Sequence, residues 1–319
     1  MRAAVLRELA KPPRVEEFSE PTPSDGEVLI QVCAAALKSV DKQMAAGTHY
    51  ASPSEFPVIC GTDGVGRLED GTRVFFGGRR RPYGTMAQRA VAKRALCFPI
   101  PEDLDNITAA AIPNPGLSAW LSLKHLAKLA EGENVLILGA TGVAGKLAVQ
   151  IARILGAGRV VAAGRNEQAL KTLSALGADA TIRLNQPHEE LIQAFRRAAA
   201  QKRFDVVIDY LWGQPTEALL SAITTSDFAA AGSQTRLVEV GESAGPTIRL
   251  PASVLRSTAL TILGTAGIPP WDVLTIAFQQ VMDYAARRKL RIDTEPVPLA
   301  EISQAWERRT SGCRLVVIP

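Results

Sequence analysis

Between residues 134 and 264 the chain alternates short apolar strands with amphipathic helices, and this alternation limits the possible folds more than any other feature. The first helix of the series places Val143, Leu147, Ile151 and Leu155 four residues apart, which gives it one apolar stripe. Such regular alternation is typical of a parallel sheet with helices on both faces. We therefore predict a doubly wound α/β domain. Its six strands are NVLIL, RVVAA, ATIRL, FDVVIDYL, TRLVEVG and LTILG.

The turn after the first of these strands, LGATGVAGKLAVQ, has the glycine spacing of a dinucleotide site. Gly142 and Gly145 hold the second and third places of the G-x-G-x-x-G fingerprint, and Ala140 holds the first. The middle glycine lets backbone N–H groups approach a pyrophosphate, and the third lets helix and strand pack closely. The positive end of the helix dipole faces the phosphates. The predicted site comprises Ala140, Thr141, Gly142, Val143, Ala144 and Gly145.

The second strand runs into a turn formed by Gly164, Arg165 and Asn166. Proteins that prefer NAD usually carry an acidic residue here, which holds the ribose hydroxyls. This turn has no carboxylate at that place, and its guanidinium can bind a 2′-phosphate through two charge-assisted hydrogen bonds. The sequence therefore predicts NADPH as the cofactor, bound by these three residues. The alternative is that Arg165 only caps an exposed turn.

The rest of the chain has a different character. Before the alternation come short strand-like runs such as EVLIQVCAAAL and GTRVFF, separated by Pro and Gly, as expected of a β-rich module. After it come a long helix, a strand, a second helix and a terminal RLVVIP, which we expect to return to the first module. We predict a discontinuous β-rich domain of residues 1–117 and 265–319, and a nucleotide-binding domain of residues 118–264.

Composition excludes several classes of protein. Apolar residues make up 47% and charged residues 21% of the 319, and the net charge is +4, which is ordinary for a folded domain. No apolar run approaches the length of a membrane span, and the start is too polar for a signal peptide, so we predict a cytoplasmic protein with no membrane partner. The four cysteines lack any Cys-x-x-Cys spacing, which favours reduced thiols. The arginine run in residues 77–84 favours a solvated loop, and nucleic-acid binding is not expected.

Taken in order, the motifs resemble the medium-chain dehydrogenase/reductase superfamily, in particular its zinc-free quinone oxidoreductase-like branch. The resemblance implies a GroES-like catalytic domain for the discontinuous module, a Rossmann domain, an active site in the cleft between them, and a homodimer or homotetramer. It also implies that Gly241 and Gly264, at the ends of the fifth and sixth strands, meet the nicotinamide ring. It covers almost the whole chain and rests on MRAAVL, PSDGEVLIQVCAAALKSVD, GTDGVGRL, AAIPNPGLSAW, GATGVAGKLAVQIAR, ALGAD, FDVVIDYLWG, TRLVEVG and RLVVIP.

The sequence departs from the zinc-dependent members of that superfamily at the metal ligands. Those relatives carry a Cys-His pair where this chain has Lys38 and Ser39, and a His-Glu pair where it has Thr62 and Asp63. A third ligand, usually a cysteine, falls near Asn114 or Pro115. A tetrahedral zinc site needs soft or imidazole ligands in these places, and none is present, so no metal is expected.

Loss of the Lewis acid limits the chemistry. An alkoxide has no strong stabiliser without the ion, whereas a quinone or enone delocalises an incoming hydride's charge onto an oxygen that hydrogen bonds can hold. The prediction is hydride transfer from NADPH to a quinone or an α,β-unsaturated carbonyl. The open alternative is a protein that binds NADPH without useful turnover, as a redox sensor, a structural protein or an RNA-binding factor.

Four side chains are the candidates for the chemistry. Lys38 could donate to the substrate oxygen or the cofactor ribose, or form an ion pair with Asp41 or Asp63. Asp63 could orient Lys38. Tyr50 could donate a hydrogen bond or relay a proton, or could simply pack. Asn114 could bind a carbonyl or the nicotinamide, or cap the helix that follows.

Overall fold

The computed structural model describes residues 1–78, 80–224, 234–265, 269–310 and 312–319. The chain divides into two compact units, residues 1–113 with 282–319, and residues 114–281. The domain boundaries predicted from the sequence, at 117/118 and 264/265, stay a prediction. Part of the arginine run falls at residue 79, which lies outside the described residues.

The strands and helices are as follows. The strands are β1 (Arg2–Leu6), β2 (Arg14–Glu17), β3 (Glu27–Ala36), β4 (Val58–Ile59), β5 (Gly64–Arg67), β6 (Arg73–Phe76), β7 (Arg89–Lys93), β8 (Cys97–Pro99), β9 (Asn134–Leu138), β10 (Arg159–Gly164), β11 (Ala180–Arg183), β12 (Val206–Asp209), β13 (Gln234–Glu239), β14 (Ala259–Gly264), β15 (Thr294–Pro298) and β16 (Arg314–Ile318). The α-helices are α1 (Ser39–Ala46), α2 (Asn106–Ala111), α3 (Pro113–Trp120), α4 (Val143–Ile154), α5 (Glu167–Thr172), α6 (His188–Gln201), α7 (Gly213–Ile223), α8 (Ala252–Ser257), α9 (Trp271–Ala286) and α10 (Ile302–Glu307).

The unit of residues 114–281 is built on a parallel sheet. Within the described residues its strand order is β11-β10-β9-β12-β13-β14, and every neighbouring pair is parallel. The central β9 is buried along its whole length, which explains its unbroken apolar run, NVLIL. The strand order reverses at β9, and ligands of such sheets bind at the carboxyl ends of the strands beside this point. The predicted doubly wound fold is confirmed.

Helix α4 packs its apolar stripe inward. Leu147 and Ile151 are fully buried, while residues at its first turn are partly exposed. A large core cluster includes the fully buried rings of Phe195 and Phe204 together with residues of β9, β10 and β12. The sheet is therefore held rigidly, and the turns at its carboxyl edge start from fixed positions.

The other unit is β-rich and takes residues from both ends of the chain. Its larger sheet has the order β15-β16-β3-β5-β6-β8, with β7 paired to β3, and a small sheet has the order β2-β1-β4. β16 pairs with β3 through Val316 opposite Ala36. One core cluster combines Leu6 and Leu37 with Trp306 and Leu315. The terminal segment thus completes the first module, as the sequence predicted.

Across the described ranges, no helix combines the length and the apolar character that a membrane crossing requires. The cytoplasmic location and the homodimer or homotetramer stay predictions.

Candidate functional site

The glycine turn lies at the carboxyl end of β9, where the strand order reverses. The backbone N–H groups of Gly139 and Ala140 both donate to Ala163 O, at 2.9 and 2.8 Å, which ties the turn to β10. Gly142 is the residue before α4 and offers no side chain to cap it. The first N–H groups of any α-helix lack partners within the helix. These amides, with the helix dipole behind them, favour an anionic group in front of α4.

Two glycines are required here by close packing. A β-carbon at Gly145 would lie 2.3 Å from Gly139 O and 2.6 Å from Ala140 Cα. A β-carbon at Gly164 would lie 2.4 Å from Thr141 Cγ2. At Gly142, in contrast, the nearest atom would be 3.4 Å away, so no part of the chain itself demands a glycine there. The open space at Gly142 is what a pyrophosphate needs to approach the backbone, and the turn fits a dinucleotide.

The turn after β10 carries the residues predicted to select the cofactor. Arg165 is exposed, and within the described ranges it has no hydrogen-bond or ion-pair partner. The Asn166 side chain accepts a hydrogen bond from Ala169 N at 3.0 Å, so it caps α5. The contact of Gly164, Arg165 and Asn166 with a cofactor stays a prediction.

The same turn contains an ion pair that sequence reasoning missed. Arg183, the last residue of β11, lies opposite Gly164 in the parallel register. Its guanidinium forms an ion pair with Glu167 in the first turn of α5. The strand order β11-β10 brings these residues together, and nothing in the local sequence around Arg183 indicates it.

The carboxyl ends of β12 and β13 form the other side of the point where the strand order reverses. Asp209 is fully buried and accepts hydrogen bonds from Leu211 N (2.8 Å), Trp212 N (2.9 Å) and Thr216 Oγ1 (2.5 Å). Burial raises the pKa of Asp209, and these hydrogen bonds oppose that rise. They hold Trp212 at a φ of 55°, an unusual backbone angle for a bulky residue. Sequence reasoning missed this turn, which the hydrogen bonds to Asp209 stabilise.

The two glycines that the resemblance places at the nicotinamide lie at this same edge of the sheet. Gly241 N donates to Asp209 O at 3.2 Å, and a β-carbon at Gly241 would lie 3.3 Å from Tyr210 O. Gly264 is the last residue of β14 and lies opposite Glu239, with open space around its Cα. Their contact with a cofactor stays a prediction.

In the β-rich unit, Lys38 and Asp63 form a buried ion pair. Lys38 is 2% exposed, and its Nζ lies 2.7 Å from Asp63 Oδ1, 3.4 Å from Ala36 O and 3.5 Å from Asp41 Oδ2. Burial works against the ammonium, but the carboxylates of Asp41 and Asp63 outweigh it and raise the pKa of Lys38. The ammonium is therefore charged across the physiological range, and it lies within 3.5 Å of three oxygens of the chain.

The second carboxylate of this cluster is held by further hydrogen bonds. Asp41 accepts from Lys38 N at 2.9 Å and from Thr62 Oγ1 at 3.2 Å. Arg314, whose Nη1 donates to Leu37 O at 3.1 Å, contributes a second positive charge, and burial lowers its pKa. Two cations thus balance two carboxylates in a part of the fold where an unpaired charge would be costly.

This cluster does not fit a zinc ion. An ammonium has no lone pair to give, and Lys38 stands in the first of the places where zinc-dependent relatives have ligands. Within the described residues, no group of three or more His, Cys, Asp or Glu side chains is arranged to hold a metal. The donors present suit charge pairing and hydrogen bonding rather than metal coordination.

The remaining candidates are Tyr50 and Asn114. Tyr50 is 97% exposed, and its ring lies against that of His49, with 4.1 Å between centroids. Asn114 is exposed in the first turn of α3 and is the first residue of the unit of residues 114–281. Of the four predicted catalytic residues, the structure brings Lys38 and Asp63 into contact. The catalytic roles of all four stay predictions.

Comparison with known proteins was made on sequence and on structure. A family model described as zinc-binding dehydrogenase matches residues 144–284. The quinone oxidoreductase of Rattus norvegicus is 31% identical over 222 residues. The match covers 66% of this chain and 66% of the relative, which is slightly less than two thirds of the relative's length. A probable NADPH-dependent quinone reductase of Emericella nidulans is 25% identical over 100% of both chains.

A solved structure extends this likeness over the whole fold. The quinone oxidoreductase of Thermus thermophilus, determined alone and in complex with NADPH, is 30% identical. The match covers 100% of both chains, with a TM-score of 0.81. The chain belongs to the medium-chain dehydrogenase/reductase superfamily, within its quinone oxidoreductase-like group, as its ordered motifs predicted.

Proposed function

We propose that this protein is an NADPH-dependent, metal-independent oxidoreductase that transfers a hydride to a quinone or an α,β-unsaturated carbonyl. One observation carries the proposal. The close-packed glycine turn leads into α4, and the neighbouring strand ends at Gly164, the place where NAD-preferring proteins have a carboxylate, with the exposed Arg165 directly after it. The names of full-length relatives, which include NADPH-dependent quinone reductase, support it.

In this proposal the glycine turn holds the pyrophosphate and the β10 turn holds the adenosine end of the cofactor. The N–H groups at the start of α4 donate to the phosphates, and Arg165 binds the 2′-phosphate. NADPH supplies the hydride when it is bound. The proposed cofactor residues are Ala140, Thr141, Gly142, Val143, Ala144, Gly145, Gly164, Arg165, Asn166, Gly241 and Gly264.

Lys38 provides a permanent positive charge, which Asp63 fixes in place, to favour negative charge on the acceptor's oxygen. Its Nζ already lies within 3.5 Å of three oxygens of the chain, so the proposal assigns it an electrostatic part rather than a proton to give. Tyr50 and Asn114 are proposed as the hydrogen-bond donors, because both are exposed. A conjugated acceptor suits Lys38, Tyr50 and Asn114, because its reduction requires stabilisation of a delocalised oxyanion and does not require a Lewis acid.

The cofactor part of the proposal is tested by titrating the protein with NADPH and NADH, following cofactor fluorescence. We expect NADPH to bind more tightly, and Arg165→Ala to weaken it about tenfold to a hundredfold, the range for a lost charge-assisted hydrogen bond. NADH affinity should change little. Arg197→Ala, which removes an exposed arginine of α6 and changes the net charge equally, is the matched control. Equal binding of NADPH and NADH by the unaltered protein would refute the 2′-phosphate argument.

The acceptor part is tested by NADPH oxidation with a panel of quinones and enones, with simple alcohols and NADP⁺ as the reverse control. Turnover with conjugated acceptors and none with alcohols is the expected pattern. Tight NADPH binding with no turnover on any acceptor would favour the non-catalytic alternative.

Chelation tests the absence of a metal requirement. Because the donors around Lys38 do not fit zinc, dialysis against EDTA should leave the melting temperature, the NADPH dissociation constant and turnover unchanged. A loss of activity that added zinc restores would contradict this, and elemental analysis of the purified protein provides an independent check.

A further inference from the structure

The end of β11 lies directly beside the turn that Arg165 occupies. β10 and β11 are parallel neighbours, Gly164 is opposite Arg183, and Leu184 N donates to Gly164 O at 2.9 Å. Adjacent strands are about 4.8 Å apart. The contact with Glu167 shows that the Arg183 guanidinium reaches the segment immediately after Arg165.

The Glu167–Arg183 ion pair is open to solvent, with the two side chains 59% and 51% exposed. Its hydrogen bond to Arg183 lowers the pKa of Glu167, so the carboxylate is ionised at neutral pH. An exposed pair of this kind contributes little to stability, about 0–1 kcal/mol, and its members can exchange partners at small cost. The pair is therefore free to respond to a ligand that binds beside it.

We propose that the Glu167–Arg183 pair sets the discrimination between a 2′-phosphate and a 2′-hydroxyl, with Arg183 as the second cation of the 2′-phosphate site. The inference rests on the proposed function, because it assumes that the adenosine ribose lies at the β10 turn. When the phosphate binds, Arg183 exchanges the carboxylate of Glu167 for phosphate oxygens, beside Arg165. The phosphate presents more acceptor oxygens and more negative charge than the carboxylate.

Glu167 has the opposite effect on the ligand. It competes with the phosphate for Arg183, and its own charge repels the phosphate. Without Arg183, the same carboxylate becomes free to accept from ribose hydroxyls, the role that acidic residues have in NAD-binding turns. Arg183 thus has two effects. It attracts the 2′-phosphate, and it pairs with the Glu167 carboxylate, which would otherwise favour a ligand that has a 2′-hydroxyl.

The test uses two ligands that differ in this group alone, adenosine 2′,5′-bisphosphate and adenosine 5′-monophosphate, measured by calorimetry. Arg183→Gln should weaken bisphosphate binding about tenfold or more, with monophosphate binding unchanged or tighter. Glu167→Gln should tighten bisphosphate binding severalfold and leave monophosphate binding nearly unchanged. The double variant should bind the bisphosphate about as weakly as Arg183→Gln alone, because Glu167→Gln acts mainly by releasing Arg183.

The outcomes separate the inference from the proposed function. If the unaltered protein prefers the bisphosphate and neither single variant changes the affinity for it, the pair is a surface ion pair only and the inference is wrong, while the NADPH proposal stands. If the unaltered protein binds neither ligand and no NADPH, the proposed function fails and the inference with it. Melting temperatures of all variants should stay close to that of the unaltered protein, since both side chains are exposed.

Discussion

Gly145→Ala should destabilise the protein strongly, whereas Gly142→Ala should leave it folded and impair NADPH binding. Alanine is the better helix former by about 1 kcal/mol, so propensity alone predicts stabilisation at Gly145. The added carbon, however, would lie 2.3 Å from Gly139 O and 2.6 Å from Ala140 Cα, both backbone atoms of the turn between β9 and α4. Overpacking of this kind costs about 1–3 kcal/mol or more, so we expect a net loss of roughly 2 kcal/mol. Urea denaturation measures it.

Gly142→Ala is the matched control, three residues away in the same turn. Its added carbon would meet nothing closer than 3.4 Å, and its φ of −78° suits any residue. Glycine is favoured over alanine at such an N-cap by roughly 0.5–1 kcal/mol, so this variant should lose less stability than Gly145→Ala. The methyl group would, however, occupy the space proposed for the pyrophosphate, so NADPH affinity should fall about tenfold or more. Equal stability of the two variants would contradict the packing argument, and unchanged affinity of Gly142→Ala would contradict the proposed phosphate position.

Lys38→Met should strongly destabilise the β-rich unit. It leaves the carboxylates of Asp41 and Asp63 buried with one less cation, and removal of one partner of a buried pair typically costs about 3–5 kcal/mol. Asp63→Asn is the milder control, because Lys38 keeps Asp41 at 3.5 Å and Ala36 O at 3.4 Å. Denaturant unfolding of both variants at pH 7 measures the difference. A Lys38→Met variant as stable as the unaltered protein would refute the importance of the pair.

The pH dependence of the Lys38→Met variant provides a readout that lost packing alone does not. Burial raises the pKa of Asp63, and the ammonium of Lys38 opposes this rise. Without the ammonium the pKa rises further, so between the unfolded and folded values the native state binds more protons than the unfolded state. Stability then falls as pH increases. The deficit relative to the unaltered protein should therefore widen as pH rises and narrow as pH falls and Asp63 becomes protonated. A deficit independent of pH would indicate lost packing only.

The fold was largely readable from the sequence because its main signals are local. Strand and helix alternation between 134 and 264 predicted the parallel sheet, and the buried run NVLIL marked its central strand. The glycine spacing located the turn before α4. Residues that are close in sequence produce these patterns, so they are visible before any tertiary contact is known.

The candidate site was less accessible to sequence reasoning, as Asn166 and Lys38 illustrate. Asn166 was predicted to contact a cofactor, and the structure shows that its side chain caps α5. The neighbouring sequence does not distinguish a capping role from a binding role. For Lys38 the sequence left two interpretations open, and the structure shows the ion pair with Asp63, a partner 25 positions away. Side-chain partners at such separations depend on which strands become neighbours.

By itself, the sequence determined the alternating sheet, the glycine turn, the missing carboxylate after β10 and membership in the superfamily. Only the tertiary structure decided that Arg183 lies against Glu167, that Asp209 holds the Trp212 turn, and that Lys38 is enclosed by carboxylates. The physical reason is the same in each case. Periodicity and turn chemistry act over a few residues, whereas charge pairing and burial depend on strand order and register, which bring together residues that are distant in the chain.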